Sequence, residues 1–255
     1  MRKKIVVANW KMNLTYAEAM SLADVIADSE GSNEFCSVII AAPFIYIHDL
    51  INRTRSQADF FIAAQNCYSE DKGAFTGEIS ASMLASIGVE HVIIGHSERR
   101  TIFNENNALL AKKINKAIEH GLIPIYCCGE DLVQRKSGRH FATVENQLSE
   151  GLFHIDKTLI NECIIAYEPV WAIGTGVNAL TSDIQEMHSF IRQKIKDKFD
   201  EDSAEKIPIL YGGSVSIKNA KEIFNCRDVD GGLVGGASLK SDDFLSIIKS
   251  LQPVF

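Results

Sequence analysis

Short apolar runs and longer amphipathic stretches take turns along the whole chain. Residues 5–10, 37–42, 60–65, 91–94, 122–128, 163–167, 207–211 and 232–234 are brief and mostly apolar at consecutive positions, as strands buried on both faces are. Between them lie segments whose apolar residues recur every three or four positions, the spacing of one helix face. Residues 107–120 carry Leu109, Leu110, Ile114, Ala117 and Ile118 on such a face and stop at Gly121. Residues 183–199 carry Ile184, Met187, His188, Ile191 and Ile195, with Asp183 positioned as a cap. Thr15, with Glu18 three positions on, opens a helix over about 16–28. Further helices are expected at 48–53, 80–86, 140–153, 218–224 and 244–251. Strict alternation predicts an α/β fold with a parallel sheet covered by helices. Eight such units in 255 residues, without a linker, predict one closed (β/α)8 barrel domain over 1–255. A doubly wound open sheet is the alternative, but it more often carries a glycine fingerprint after its first strand, which is absent here.

Composition narrows the class. The chain is 46% hydrophobic and 23% charged, ample for a core. No apolar run is long enough to cross a bilayer, and the basic start at Arg2-Lys3-Lys4 is followed by too short an apolar stretch for a signal peptide. A cytoplasmic protein with no membrane partner is the expectation. The net charge of −7 points away from nucleic acid. Six cysteines, at 36, 67, 127, 128, 163 and 226, are scattered without metal-ligand spacing, so buried thiols are expected rather than disulfides or a metal site.

The polar residues collect at strand ends. Asn9 and Lys11 follow the first strand, His96 and Glu98 the fourth, Glu168 the sixth, Ser214 the seventh, and Gly235-Gly236 the eighth. In a barrel these ends share one face. Glu168 is followed by Pro169, an apolar Val-Trp-Ala-Ile stretch and Gly174 and Gly176, which suggests a base beneath a hinged lid over about 168–179. The plainer reading is a buried loop anchored by Trp171, with Glu168 capping the next helix. Gly212-Gly213 and Gly235-Gly236 let backbone N–H groups approach an anion, and the loops after strands seven and eight are the usual phosphate site of this fold. His96 at a helix start becomes a neutral donor able to polarise a carbonyl. Lys11 supplies fixed positive charge, and Glu98 pairs either with Lys11 or with Arg99. Base, donor, lysine and phosphate cradle together imply proton removal from carbon beside a carbonyl, with an enediolate stabilised. No metal cluster, nicotinamide site or Ser-His-Asp arrangement competes, so no cofactor is expected.

Six segments, at 9–13, 73–78, 95–100, 166–176, 211–215 and 233–238, resemble the triosephosphate isomerase family in order and from end to end. The resemblance implies interconversion of dihydroxyacetone phosphate and glyceraldehyde 3-phosphate, as in glycolysis. Glu168 would shuttle the proton, His96 would be the electrophile, and Lys11 and Asn9 would contact substrate. Gly174, Ser214, Gly235 and Gly236 would donate to the phosphate. Tyr211 and Ser214 would latch the closed lid onto Ala179 and Gly176, with Glu98 and Cys127 supporting the site from behind. Members of the family are homodimers; here the loop 66–78 would interdigitate, with Phe75 buried and Thr76 reaching the Asn9/Lys11 side of the second subunit. The chain departs from the family pattern at Val177-Asn178 after the lid, at Cys128, and at Asn104, where glycine is usual. A barrel isomerase or lyase for a larger sugar phosphate would need more room than Trp171 and Ile173 suggest. A silent binding barrel would have lost Glu168, His96 or Lys11.

Overall fold

The computed structural model describes residues 2–30, 36–174 and 178–251. The first half contains β1 (Ile5–Asn9), α1 (Tyr16–Glu30), β2 (Ser37–Ala42), α2 (Phe44–Thr54), β3 (Phe60–Ala64), α3 (Ala81–Ser86), β4 (His91–Ile94), α4 (Ser97–Ile102) and α5 (Asn107–Glu119). It continues through β5 (Ile123–Cys128), α6 (Leu132–Lys136), α7 (His140–Gly151), α8 (Lys157–Ile160) and β6 (Ile164–Tyr167). The remainder is α9 (Thr181–Lys198), α10 (Glu201–Lys206), β7 (Ile209–Tyr211), α11 (Ala220–Phe224), β8 (Gly231–Val234) and α12 (Ser241–Lys249). The eight strands pair in chain order, all parallel, and β1 pairs with β8 to close the barrel.

Side-chain alternation divides the core in two. Ile5, Val7, Ile39, Ala41, Ala63, Ile93, Ile125, Cys127, Ile164, Ala166, Leu210 and Leu233 fill the barrel interior. Their neighbours in sequence, such as Val6, Ile40, Val92, Ile165 and Ile209, pack outward with the helices. The strands are apolar at consecutive positions because each has apolar material on both sides.

The helix boundaries differ in instructive ways. Asp183 does not cap α9: the helix starts two residues earlier, Ile184 N–H bonds to Leu180 O, and the Asp183 carboxylate takes Arg135 Nη2 at 2.7 Å. Only half of the box at Thr15 forms, since the Glu18 carboxylate accepts both the Thr15 N–H and its hydroxyl at 2.7 Å. Four short helices, α4, α6, α8 and α10, have four to six residues each, too few for a helical period to register in sequence. Asn104, the departure from a family glycine, has φ 55°. That is the left-handed region, which asparagine tolerates better than most residues, so the exchange keeps the turn.

A group of buried ion pairs gathers at the amino ends of β1 and β8. Arg2 Nε bonds Asp230 at 2.8 Å, Arg192 Nη2 bonds the same carboxylate at 2.7 Å, and Arg192 Nε bonds Asp228 at 2.9 Å. Lys4 Nζ donates to Val229 O at 2.8 Å. These bonds fasten the start of β1 to the residues entering β8, at the seam of the barrel.

Two buried imidazoles make stability depend on pH. His91 lies against the Phe61 ring near the start of β4, and His188 lies on α9 between Tyr167 and Tyr211. Burial pushes each down to about 4. Lys3 adds to the effect at His91; at His188 Arg192 opposes the proton, while Asp228 and Asp230 favour it. The unfolded chain takes up these protons near pH 6.5 and the folded one only near 4. Stability is therefore expected to be full above 6.5 and to fall between 6.5 and 4, by up to about 3 kcal/mol per ring. Urea midpoints at pH 7, 6, 5 and 4 check this, and the His91→Gln and His188→Gln variants should flatten the decline. A midpoint constant from pH 7 to 5 would refute it.

Candidate active site

The site is the next inward step beyond the apolar barrel core. Ile5 and Val7 point inward, and two residues on the same parity gives Asn9; Ile164 and Ala166 point inward, and the next gives Glu168. Polar groups thus form the uppermost layer, at the carboxyl ends of the strands.

Glu168 is 1% exposed, and its backbone N–H continues the β5–β6 ladder by bonding Cys128 O at 2.8 Å. Its carboxylate is fully engaged. Oε2 accepts the Ser97 N–H at 2.8 Å, while Oε1 accepts the Ser97 hydroxyl at 3.3 Å and lies 3.0 Å from His96 Nε2. Ser97 is the first residue of α4, so its free N–H and the helix dipole both favour the anion. The alternative in which Glu168 caps the following helix does not hold, because its acceptors face α4 instead.

His96 is the N-cap of α4, and its Nδ1 accepts the Glu98 N–H at 3.3 Å. The ring proton therefore sits on Nε2, aimed at Glu168. A backbone donor fixes the tautomer.

Lys11 has φ 53°, a left-handed conformation that costs a non-glycine residue about 1–2 kcal/mol. Both of its backbone groups are captured by side chains: the N–H by Asn9 Oδ1 at 3.1 Å and the carbonyl by Gln65 Nε2 at 2.9 Å. Gln65 also donates to Ala41 O at 3.0 Å, tying Lys11 to the end of β2. The ammonium meets Glu98 Oε1 at 2.6 Å. This resolves the choice left open for Glu98, since Arg99 pairs instead with Glu105 at 2.7 Å.

A cavity of about 280 Å³ opens above these groups. It is lined by Asn9, Lys11 and His96, by Gly212, Gly213 and Ser214, by Gly235 and Gly236, and by Ile173 and Gly174. The Glu168 carboxylate lies just behind the His96 side. A Cβ on Gly235 would sit 3.5 Å from Lys11 Cε, and one on Gly212 would meet Glu168 Cγ at 2.8 Å. Glycine at 212 is thus required by the close approach of the acid itself.

Tyr211 is 1% exposed, and a Cβ on Gly213 would strike its hydroxyl at 2.2 Å and Pro169 Cγ at 3.0 Å. Ala179 is half-buried against the outer core. Gly176, its expected companion in the latch, lies outside the described residues, as does Val177. The start of the lid segment is well held. Val170–Ala172 forms a 3-10 turn, and the buried Glu130 accepts Trp171 Nε1 at 2.9 Å and the Tyr167 hydroxyl at 3.1 Å. Burial raises the Glu130 carboxyl, and these two hydrogen bonds oppose the rise.

Cys127 faces the barrel interior beneath Glu168, and burial, with the nearby carboxylate, raises its thiol well above the ordinary range. Cys128 faces the helices and is pushed up to about 12 by burial. The adjacent thiols therefore sit on opposite faces of the barrel wall. Both are protonated and poorly nucleophilic at neutral pH. Cys67 and Cys163 are buried thiols as well.

The loop 66–78 is held by its own contacts and by α5, whose Lys113 donates to Asn66 Oδ1 at 2.7 Å and whose Lys116 donates to Asp71 Oδ2 at 2.7 Å. Tyr68 N–H bonds Ile79 O at 2.8 Å, and the Phe75 ring lies 4.7 Å from the Tyr68 ring. Phe75 remains 40% exposed, and Thr76 is exposed too.

The structure brings Asn9, Lys11, His96, Gly174, Ser214, Gly235 and Gly236 around one cavity, with Glu168 at its wall and Glu98 holding Lys11. Sequence reasoning missed Ser97, Gln65 and Glu130. Ser97 stands between two residues that were singled out, and its place in the first turn of a helix was the available signal.

A closed parallel barrel with a carboxylate–imidazole contact and a glycine-lined pocket at its carboxyl end defines a (β/α)8 barrel with its site on the face this fold uses. The family model for triosephosphate isomerase matches residues 4–251, and the chain belongs to that family. It is 50% identical over 251 residues to the triosephosphate isomerase of Flavobacterium psychrophilum, covering 98% of this chain and 100% of the relative. Those of Flavobacterium johnsoniae and Porphyromonas gingivalis are each 48% identical, over 251 and 254 residues, with the same coverage.

Proposed function

We propose that the protein interconverts dihydroxyacetone phosphate and D-glyceraldehyde 3-phosphate, as a glycolytic enzyme of the cytoplasm, with Glu168, His96 and Lys11 as its catalytic residues. The observation that carries the reading is the 3.0 Å contact between Glu168 Oε1 and His96 Nε2 at the wall of a small cavity. Base and donor there occupy each other. A bound carbonyl oxygen takes over the His96 N–H, and the released carboxylate turns toward the adjacent C–H. Glu168 removes a proton from C1; the C–H electron pair forms the C1–C2 double bond, and the C2 oxygen becomes the enolate oxygen. His96 stabilises that charge by hydrogen bonding, and Lys11 by electrostatic attraction. After a proton moves between the two oxygens, Glu168 returns its proton to C2.

The phosphate belongs on the glycine-lined wall, where Gly174, Ser214, Gly235 and Gly236 donate and Lys11 approaches from β1. The lid over about 168–179 would exclude water, because an enediolate beside a phosphate ester eliminates phosphate when it is left free to do so. Tyr211 and Ser214 would latch it to Ala179 and Gly176. No cofactor enters these steps. A coupled assay supplying glyceraldehyde 3-phosphate and following dihydroxyacetone phosphate through a reductase tests the reading. Absence of conversion by folded protein would overturn it.

The reading includes a homodimer. Met12, Ile45, Phe75 and Phe103 are exposed apolar residues that follow β1, β2, β3 and β4, four neighbouring strands that make up half of the barrel. The loop 66–78 follows β3. Arginine at position 76 would bury an unpaired charge in that contact. Thr76→Arg is expected to give monomers by light scattering after size exclusion, with activity falling alongside; dimers persisting at low protein concentration would remove Thr76 from the interface.

A further inference from the structure

We propose that Arg100 is a positioning residue for the acid–base pair, a clamp that sets His96 and Ser97 relative to Glu168; this rests on the function proposed above. Arg100 belongs to α4, yet its side chain folds back past the helix start. Its Nε donates to Gly95 O at 2.8 Å, and Nη2 donates to Cys127 O at 2.9 Å and the Tyr126 hydroxyl at 3.1 Å. The remaining Nη1 donates to Asn107 Oδ1 at 2.7 Å.

The place of these acceptors gives the clamp its meaning. The β4–β5 ladder ends with Ile94 opposite Tyr126. Gly95 then turns away with φ 78°, and the chain enters the segment that carries His96 and Ser97. One guanidinium fork thus replaces the strand pairing that would have continued at Gly95 and Cys127. It closes the run from Gly95 to Arg100 on itself and fastens that run to β5. The β5 side is equally committed, because Cys128 O receives the backbone N–H of Glu168. Arg100 therefore joins the segment that carries the donor to the strand on which the backbone of the base rests. Packing at the joint is tight: a Cβ on Gly95 would lie 3.2 Å from both Arg100 Nη2 and Cys127 O. Lysine has one nitrogen and cannot span these acceptors.

The test uses Arg100→Lys and Arg100→Ala in the full-length protein, beside the wild type. Misplacing the pair by a fraction of an ångström lowers kcat by about 10- to 100-fold in Arg100→Lys, with KM changed less than about twofold, because the phosphate wall is untouched. Added guanidinium at non-denaturing concentration restores part of kcat in Arg100→Ala; methylammonium does not. A kcat in Arg100→Lys within about twofold of wild type overturns the proposal, as does equal rescue by the two cations. A second readout needs no turnover. The His96 Nε2 proton resonance, set by its bond to Glu168, is expected to shift in Arg100→Lys, and an unchanged resonance also overturns the clamp. An inactive wild type would sink the functional reading alone, leaving the resonance to decide for Arg100. If Arg100→Ala does not fold, the Arg100→Lys measurements still decide.

Discussion

Turnover of the Glu168→Asp variant is expected to fall by about 100-fold or more, with substrate affinity nearly unchanged. The substitution keeps the charge and withdraws the carboxylate by one methylene. Glu168 stands just past the end of β6, at the next inward position, fixed by its N–H bond to Cys128 O at 2.8 Å, so the backbone cannot advance to compensate. The shorter acid also loses reach to the Ser97 N–H and to His96 Nε2, which lie at 2.8 and 3.0 Å in the present arrangement. The groups proposed to hold the phosphate, Ser214, Gly235 and Gly236, lie in the loops after β7 and β8, beyond strands other than the one that leads into Glu168. The loss therefore falls on the transition state and appears in kcat. Steady-state kinetics beside an inhibition constant for a non-isomerisable phosphorylated acid separates the two terms. Undiminished turnover would mean that Glu168 is not the base.

The second large effect is expected in Lys11→Met, and it should appear in both binding and turnover. In the free protein the Lys11–Glu98 pair is partly exposed, with side-chain exposures of 27% and 43%, so its removal costs the fold about 1 kcal/mol or less. In the complex the ammonium faces a phosphorylated anion in a cavity that has shed water. Losing one partner of such a pair costs about 2–5 kcal/mol, or roughly 30- to several-thousand-fold in kcat/KM. Thermal melting should move little while kcat/KM collapses. Unchanged binding of the phosphorylated acid would remove the electrostatic role. The left-handed backbone at Lys11 makes the same point structurally: strain is tolerated at this position because Asn9 and Gln65 hold both of its peptide groups.

Much of this was legible in the chain. The strands could be read because each is apolar on two faces, and the polar residues just past them could be read because parity carries them inward. The pairing of Glu98 could be narrowed to two partners but not chosen, since Lys11 and Arg99 offer similar charge. What escaped was work done by groups without a residue-type signature. The Ser97 N–H that holds Glu168 is a backbone donor, and Asn9 and Gln65 hold Lys11 through its own peptide. Glu130, at the base of the lid, carries no signal in the sequence that Trp171 and Tyr167 converge on it. Of the short helices, α3 and α11 are legible from the sequence while α4, α6, α8 and α10 are not, and Asp183 reads as a cap because Thr181 and Ser182 give no apolar signal of the turn before it.

The seam where Arg2 meets Asp230 also has a meaning for synthesis. Ile5 is translated long before its β8 partner Gly231. At 5–20 residues per second, β1 keeps an open, apolar edge for roughly 10–45 seconds before its neighbour exists. For that interval the nascent chain is an incomplete sheet whose free edge can recruit other strands. The charged residues at its threshold, Arg2, Lys3 and Lys4, remain solvated until the acidic end of the chain arrives to receive Arg2 and Lys4. They give the waiting strand a repulsive flank during translation and become its lock once the chain is complete.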